Sequence, residues 1–97
     1  MRLQEKVFAL LKKIPRGRVA SYKELARKLG TSPRAVARIL ASNKHPVIIP
    51  CHRVVHVSGE IGGYTPKGPK EKALLLKREG VKITRNKVRE AYFYYFY

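Results

Sequence analysis

The sequence is poor in cysteine, in acidic residues and in long apolar runs. It has one cysteine and no tryptophan, and only 6 acidic residues stand against 22 lysines and arginines. A single cysteine excludes a disulfide framework and fits a reducing compartment in which a free thiol survives. No stretch approaches the roughly 18 to 20 apolar residues of a membrane span, and the N-terminus lacks a signal-peptide pattern. We therefore expect a cytoplasmic protein that makes no contact with membranes.

Positive charge dominates what the sequence does contain. A net charge of +16 and a pI near 10.5 exceed what solubility requires, and they indicate a polyanionic partner such as DNA. The 97 residues, 44% of them hydrophobic, suffice for one compact domain with a modest core. We assign residues 1–83 to this domain and residues 84–97 to a basic, aromatic C-terminal tail.

The first half of the chain predicts three helices. Apolar residues recur at helical spacing over residues 3–14. Ser21 and Glu24 form a capping box, in which each side chain satisfies a backbone donor, for a helix that ends at Gly30. A third helix follows over Ser32–Ser42. The last two helices form a helix-turn-helix; an ordinary helical hairpin is the alternative, and the charge favours DNA binding.

The second half is mixed. Residues 47–49 predict a buried extended segment, residues 54–57 a strand, and residues 58–63 a turn into a flexible loop, which together indicate a small wing or hairpin. Residues 68–80 predict a last helix with Gly80 as its left-handed cap. The expected fold is mainly α with a small β element, a winged helix-turn-helix-like DNA-binding domain.

Six consecutive aromatic residues, 92–97, close the sequence. Exposed rings could stack on the bases of a single strand. The segment could equally pack as a helix or strand over an uncovered core, or be an extension introduced by cloning.

Cys51 lies between Pro50 and the pair His52–Arg53. A lone cysteine is most often a small buried hydrophobe, but a neighbouring imidazole and guanidinium favour the thiolate and hence a nucleophile. A carboxylate that orients His52 would complete a relay, and among the six acidic residues we select Glu79.

The order of these motifs is specific. The string at residues 50–54, Asn43 upstream, the preceding helix-turn-helix and the downstream pair Gly63–Tyr64 resemble O6-alkylguanine-DNA alkyltransferases, over about residues 3–83. The resemblance implies that Cys51 accepts an alkyl group in an in-line displacement. Each molecule would then react once, without a metal or organic cofactor.

The resemblance also implies roles for the neighbours of Cys51. His52 would take the thiol proton through a water, Glu79 would polarise His52, Asn43 would brace the cysteine segment, and Arg53 would support this arrangement structurally. The implied partner is double-stranded DNA containing O6-alkylguanine, bound by a monomer.

DNA contacts follow from the same resemblance. Arg34 would enter the stack in place of the extruded nucleotide. Ser32, Ala35 and Arg38 would lie on the DNA-binding surface, which the family presents to the minor groove. On their own residue types, Arg34 could be a plain phosphate contact.

The resemblance also implies a pocket for the extruded guanine. Tyr22 would border the base and donate a proton to it, beside Val54, Tyr64 and the amide of Thr65; the carbonyl of Cys51 would also contact it. Without the cysteine motif, Tyr22 could be only a packing residue.

Three alternatives remain open at this point. An alkyltransferase-like protein recognises alkylated guanine without accepting the group, but such relatives lack the acceptor cysteine. A basic architectural protein would bind damaged and undamaged DNA equally. A metal site would use His45, Cys51, His52 and His56, whose spacing matches no recognised metal motif.

Overall fold

The computed structural model describes residues 2–45, 48–62 and 68–96. Within these ranges it is mainly helical with small β elements, as predicted. The helices and strands, in chain order, are α1 (Leu3–Leu11), β1 (Ala20–Ser21), α2 (Tyr22–Leu29), α3 (Pro33–Ala41), β2 (Val54–Val55), α4 (Gly68–Arg78), β3 (Ile83–Thr84) and β4 (Lys87–Val88). Two 3₁₀ turns, Cys51–Arg53 and Glu90–Tyr92, lie between them.

The first helix is shorter than its apolar pattern predicted. α1 ends at Leu11, and residues 12–14 form a tight turn in which the Ile14 amide donates to the Leu11 carbonyl at 3.1 Å. Ile14 is nevertheless buried. Its side chain therefore belongs to the core without belonging to the helix, which periodicity alone does not distinguish.

The helix-turn-helix forms as its caps predicted, with one difference. Ser21 accepts a hydrogen bond from the Glu24 amide at 2.9 Å, and Gly30 ends α2 in the left-handed conformation, at φ +67°. The Glu24 carboxylate does not return to the Ser21 amide, so the reciprocal half of the capping box is wrong. It accepts instead from the Arg27 guanidinium and from the Phe96 amide, at 2.8 Å in the latter case.

The central sheet is parallel and holds the cysteine segment. β1 pairs with β2 in the register Ala20 to Val54, and Val19, directly before β1, pairs in parallel with Phe93. Successive side chains of a strand point to opposite faces. Accordingly, Ala20 and Val54 pack in the larger core cluster with α1, α2 and α3, whereas Val19 and Val55 pack in a second cluster with Leu76 and Val88.

Three predictions for the β elements are corrected. The segment expected to be buried is buried only in part, because Ile48 is 76% exposed whereas Ile49 packs partly buried against the larger core cluster. Val47 lies outside the described residues. The strand at Val54 ends at Val55, and Val57 is exposed. Instead of forming a hairpin, β2 pairs in parallel with β1. The antiparallel hairpin is formed instead by β3 and β4, so its turn spans residues 85–86.

The aromatic tail packs against the domain. Phe93 and Phe96 are buried, Tyr95 is exposed, and the Arg27 guanidinium donates to the Phe96 carbonyl at 2.9 Å. β3 and β4 pair across the proposed boundary at residue 83, so residues 1–83 and 84–97 are in contact. The division of the chain into a domain and a tail stays a prediction. No helix in the described ranges is long and apolar enough to cross a membrane.

Candidate active site

The thiol lies in the 3₁₀ turn that leads into β2. Cys51 is 4% exposed and belongs to the larger core cluster, and its amide donates to the Ile49 carbonyl at 2.8 Å. The Arg53 amide donates to the Pro50 carbonyl at 3.1 Å. The turn and the strand after it therefore fix the sulfur in the protein interior.

Asn43 braces this segment directly. Its Nδ2 donates to the Ile49 carbonyl at 2.9 Å and to Cys51 Sγ at 3.2 Å, and its Oδ1 accepts from the His45 amide at 2.9 Å. Asn43, predicted to brace this segment, therefore contacts both its backbone and its sulfur. An amide donor at this distance favours negative charge on the sulfur.

Glu79 holds both residues that follow the cysteine. Its Oε2 lies 3.1 Å from His52 Nε2 and 2.7 Å from Arg53 Nη2, and its Oε1 accepts from Arg53 Nε at 2.9 Å. Arg53 also donates to the Ile14 carbonyl at 2.8 Å. Glu79, selected from sequence for its position, therefore reaches His52, and Arg53 fixes Glu79 in two-point contact.

The other nitrogen of His52 is left unpaired. His52 is fully buried, and its Nδ1 has no hydrogen-bond partner within the described residues. With a proton on Nε2 directed at Glu79, Nδ1 carries a lone pair. A buried acceptor without a partner is costly, and such groups are often functional.

Burial and hydrogen bonding together set the charges of His52 and Glu79. Desolvation lowers the pKa of His52, outweighing the hydrogen bond to Glu79, so the imidazole is neutral at pH 7. Burial acts to raise the pKa of Glu79, but the hydrogen bonds from Arg53 and His52 outweigh it and lower the pKa. The pair is a neutral imidazole held by a carboxylate.

Tyr22 lies beside a residue that the sequence analysis missed. Lys72, on α4, is 1% exposed and donates to Tyr22 Oη over a long distance of 3.5 Å. Its Nζ is 5.6 Å from the centroid of the Tyr22 ring. Lysine is rarely buried, so its position four residues before the buried Leu76 was the only signal for it.

The ionisation of Tyr22 and Lys72 is perturbed in opposite directions. Burial, with a smaller contribution from negative charge at Cys51, raises the pKa of Tyr22. Burial lowers the pKa of Lys72 to about 8, although negative charge at Cys51 acts in the other direction. Tyr22 is therefore a protonated donor at neutral pH, close to a cation that deprotonates easily.

The predicted DNA-binding residues lie on α3. Ser32 caps the helix, with its Oγ accepting from the Ala35 amide at 3.1 Å. Arg34 and Arg38 are exposed and lie one helical turn apart. Ala35, which follows Arg34, is partly buried. The helix thus presents two cations on its outer surface.

The base pocket is described only in part. Val54 is fully buried, directly after the 3₁₀ turn, whereas Tyr64 and Thr65 lie outside the described residues. Tyr22 also faces an open cavity of about 460 Å³ near the start of α3. The cavity is lined by Tyr22, Lys23, Pro33, His56, Val57, Ser58 and Glu60.

The metal site considered as an alternative does not assemble. In residues 2–45, 48–62 and 68–96, no three histidine, cysteine, aspartate or glutamate side chains come together as metal ligands would. His56 instead packs its ring against that of Tyr22, with the centroids 5.1 Å apart.

Known proteins resemble this chain in sequence and in fold. Residues 2–81 match the family model of the 6-O-methylguanine DNA methyltransferase DNA-binding domain. The methylated-DNA–protein-cysteine methyltransferase of Thermococcus barophilus is 52% identical over 80 residues, which are 81% of this chain and 45% of that protein. The chain spans about half the length of the curated relatives it matches.

Two solved structures show the same fold. The O6-methylguanine-DNA methyltransferase of Pyrococcus kodakaraensis is 45% identical with a TM-score of 0.77, over 84% of this chain and 47% of that one. S. pombe Atl1, solved with damaged DNA containing O6-carboxymethylguanine, is 26% identical with a TM-score of 0.85, over 97% of this chain and 98% of that one. On the family match over residues 2–81, the chain belongs to the 6-O-methylguanine DNA methyltransferase family and carries its DNA-binding domain.

Proposed function

We propose that this protein repairs DNA directly, by transferring the alkyl group of O6-alkylguanine to Cys51. The observation that carries the proposal is the contact between Asn43 Nδ2 and Cys51 Sγ, 3.2 Å long, in a buried cluster that also contains the His52–Glu79 pair. A structural cysteine needs neither an amide donor nor an adjacent imidazole with a free lone pair. In a nucleophile, an adjacent imidazole can act as the base, and an amide donor stabilises the thiolate that forms.

The proposed reaction balances without a further reagent. The Cys51 proton passes through a water to Nδ1 of His52, and Glu79 stabilises the imidazolium that results. The thiolate attacks the alkyl carbon, a carbon–sulfur bond forms, and the bond between that carbon and O6 breaks with its electrons staying on the oxygen. Tyr22 protonates the departing guanine, and the resulting phenolate recovers a proton from the His52 imidazolium through water, so that both side chains return to their starting state. The Lys72 ammonium, 3.5 Å from the Tyr22 hydroxyl, supplies positive charge.

The product explains why each molecule would act once. A thioether has no easy route back to a thiol, so the alkylated protein is spent. A metal-free displacement of this kind uses only the side chains already described.

Access to the base requires that the nucleotide leave the duplex. We propose that Arg34 occupies the vacated place in the stack, while Arg38 and the capped start of α3 at Ser32 contact the backbone. Ala35 would allow close approach of the helix to the minor groove. The carbonyls of Cys51 and Val54, with Tyr64 and the Thr65 amide, would read the guanine.

Intact-protein mass spectrometry tests the proposal. Wild-type protein incubated with a duplex containing O6-methylguanine should gain the mass of one methylene group, and peptide mapping should place it on Cys51. Cys51→Ala should gain nothing. Arg34→Ala should react more slowly, by about tenfold if the side chain offsets about 1.4 kcal/mol of unstacking; an equal rate would contradict its role in extrusion. An unmodified wild-type protein would contradict the proposal as a whole.

One observation favours a second candidate. The similarity to S. pombe Atl1 extends over 97% of this chain and 98% of that one. An alkyltransferase-like protein would bind the alkylated guanine and recruit other repair factors without accepting the group. Tight, lesion-selective binding with no mass gain on Cys51 would identify this function, whereas equal affinity for damaged and undamaged duplexes would indicate an architectural protein.

We infer that a monomer acts, because the residues of the cluster all come from one chain. A cytoplasmic location fits the single free thiol, which a reducing compartment preserves.

A further inference from the structure

The hairpin of β3 and β4 has an arginine where its backbone is least suited to one. Arg85 and Asn86 form the two-residue turn, at φ +52° and +64°. Turns of this kind favour asparagine and glycine, because other residues enter the left-handed region at a steric cost. The hairpin thus has a cation at its turn in spite of this steric cost.

The hairpin is fixed to the body of the protein. The Val88 amide donates to the Gly59 carbonyl at 2.8 Å, and the Ile61 amide donates to the Asn86 carbonyl at 3.2 Å. A Cβ at Gly59 would collide with the Val88 carbonyl, so only glycine permits this approach. Val88 is buried in the second core cluster. The turn is therefore held in place by both backbone and side-chain contacts.

The outer surface of the hairpin is basic. Four exposed cations lie within eight residues, namely Lys82, Arg85, Lys87 and Arg89. The nearby carboxylates are Glu60, which pairs opposite Lys87, and Glu90. The cations outnumber them two to one, and none of the four belongs to the cluster around Cys51.

The hairpin adjoins the cavity at the start of α3. Glu60, the bridge partner of Lys87, lines the same cavity as Tyr22 and Pro33, the first residue of α3. Lys87 is thus paired directly with a residue of the cavity wall. A duplex bound along α3 would have its flanking backbone near the hairpin.

We propose that this hairpin is a second contact to DNA, which binds phosphates of the duplex beside the damaged base. The proposal rests on the DNA-binding part of the proposed function. The contact is to the backbone, since cations on a rigid, exposed turn match phosphate charge and carry no base specificity. It extends the footprint beyond the helix-turn-helix and raises affinity for any sequence.

The salt dependence of binding to an undamaged duplex tests this. The double variant Arg85→Gln/Lys87→Gln keeps Asn86 and hence the turn, and its thermal melt verifies folding. If each cation neutralises one phosphate, the slope of log K against log salt concentration should fall by about 2 relative to wild type. The control Lys12→Gln/Lys13→Gln removes the same charge from the exposed end of α1 and should leave the slope unchanged.

The outcomes separate this proposal from alkyl transfer. An unchanged slope in the hairpin variant, or an equal loss in the control, would overturn the hairpin contact even if wild-type Cys51 is methylated. A reduced slope in the hairpin variant alone supports the contact, and it would do so even if Cys51 of the wild type stayed unmodified. A wild-type protein that fails to bind duplex DNA would overturn both.

Discussion

Asn43 and Cys51 are joined by a hydrogen bond from the amide Nδ2 to the sulfur, 3.2 Å long, across eight positions of sequence. Asn43 also accepts from the His45 amide through Oδ1. One side chain therefore positions the nucleophile and closes the turn before it.

Replacing Asn43 separates these two tasks. Asn43→Asp keeps the Oδ1 acceptor but loses the donor to sulfur and adds a negative charge that disfavours the thiolate. We expect alkyl transfer to slow by at least about tenfold, the equivalent of about 1.4 kcal/mol, with a small change in melting temperature. Asn43→Ala should lose both rate and stability. Single-turnover kinetics and thermal melts measure the two effects; an unchanged rate in Asn43→Asp would show that the sulfur does not need the amide.

Glu79→Gln tests the orientation of His52. The glutamine amide can donate to His52 Nε2 and so hold the proton on Nδ1, where it blocks the lone pair that accepts from the thiol. We expect transfer to fall by about 100-fold or more. The matched control is Glu24→Gln, which alters another buried carboxylate, bound to Arg27 and the Phe96 amide. It should lower the melting temperature and change the transfer rate less than about twofold; equal losses in both variants would indicate general destabilisation.

The lowered pKa of Lys72 predicts that the protein becomes more stable as the pH rises above about 8. Its pKa in the folded protein is about 8, below the usual 10.5, so between these values the unfolded chain holds more protons than the folded one. By linkage the free energy of unfolding then increases with pH, by at most about 1.4 kcal/mol per pH unit. Tyr22, whose pKa is raised, acts in the opposite direction above pH 10.

The contribution of Lys72 can be measured by chemical denaturation of wild type and Lys72→Met. The measurements are made at about pH 8.0, 8.8 and 9.5, roughly between the two pKa values. The difference in unfolding free energy between the two proteins should move in favour of wild type as pH rises. A constant difference would show that Lys72 is not desolvated as its burial indicates.

Two neighbouring aromatic residues test the role of the tail. Phe96 is 5% exposed and packs edge-on against Tyr94, whereas Tyr95 is 43% exposed. Phe96→Ala should lower the unfolding free energy by about 2 to 4 kcal/mol, and Tyr95→Ala by less than about 0.5 kcal/mol. Equal small effects would favour the alternative in which the aromatic rings serve to stack on bases.

Signals within a few residues predicted the helices, whereas the features that were missed depend on contacts between residues distant in sequence. Ser21, Gly30 and Ser32 each determine a helix end within three or four residues, so the helix-turn-helix could be predicted. The parallel pairing of β1 with β2 joins residues 34 apart, and strands of two residues show no alternation. The sequence therefore predicted a hairpin at the wrong place.

The candidate site was predicted unevenly for the same reason. The motif around Cys51 identified the residues next to it, and the small number of acidic residues made Glu79 identifiable. Lys72 was missed because its burial depends on contacts with Tyr22 across 50 positions. The partner of the Glu24 carboxylate was likewise missed, because the Phe96 amide lies 72 positions away.

The pairing of Val19 with Phe93 also sets an order of events during synthesis. These residues are 74 apart, and the segment that carries Cys51 leaves the ribosome well before Phe93 does. The nascent chain can form the helix-turn-helix early, from local contacts, but its sheet is completed only when the aromatic segment emerges. The buried cluster that surrounds the thiol likewise needs Glu79 and Phe96, so it is completed only after both have emerged.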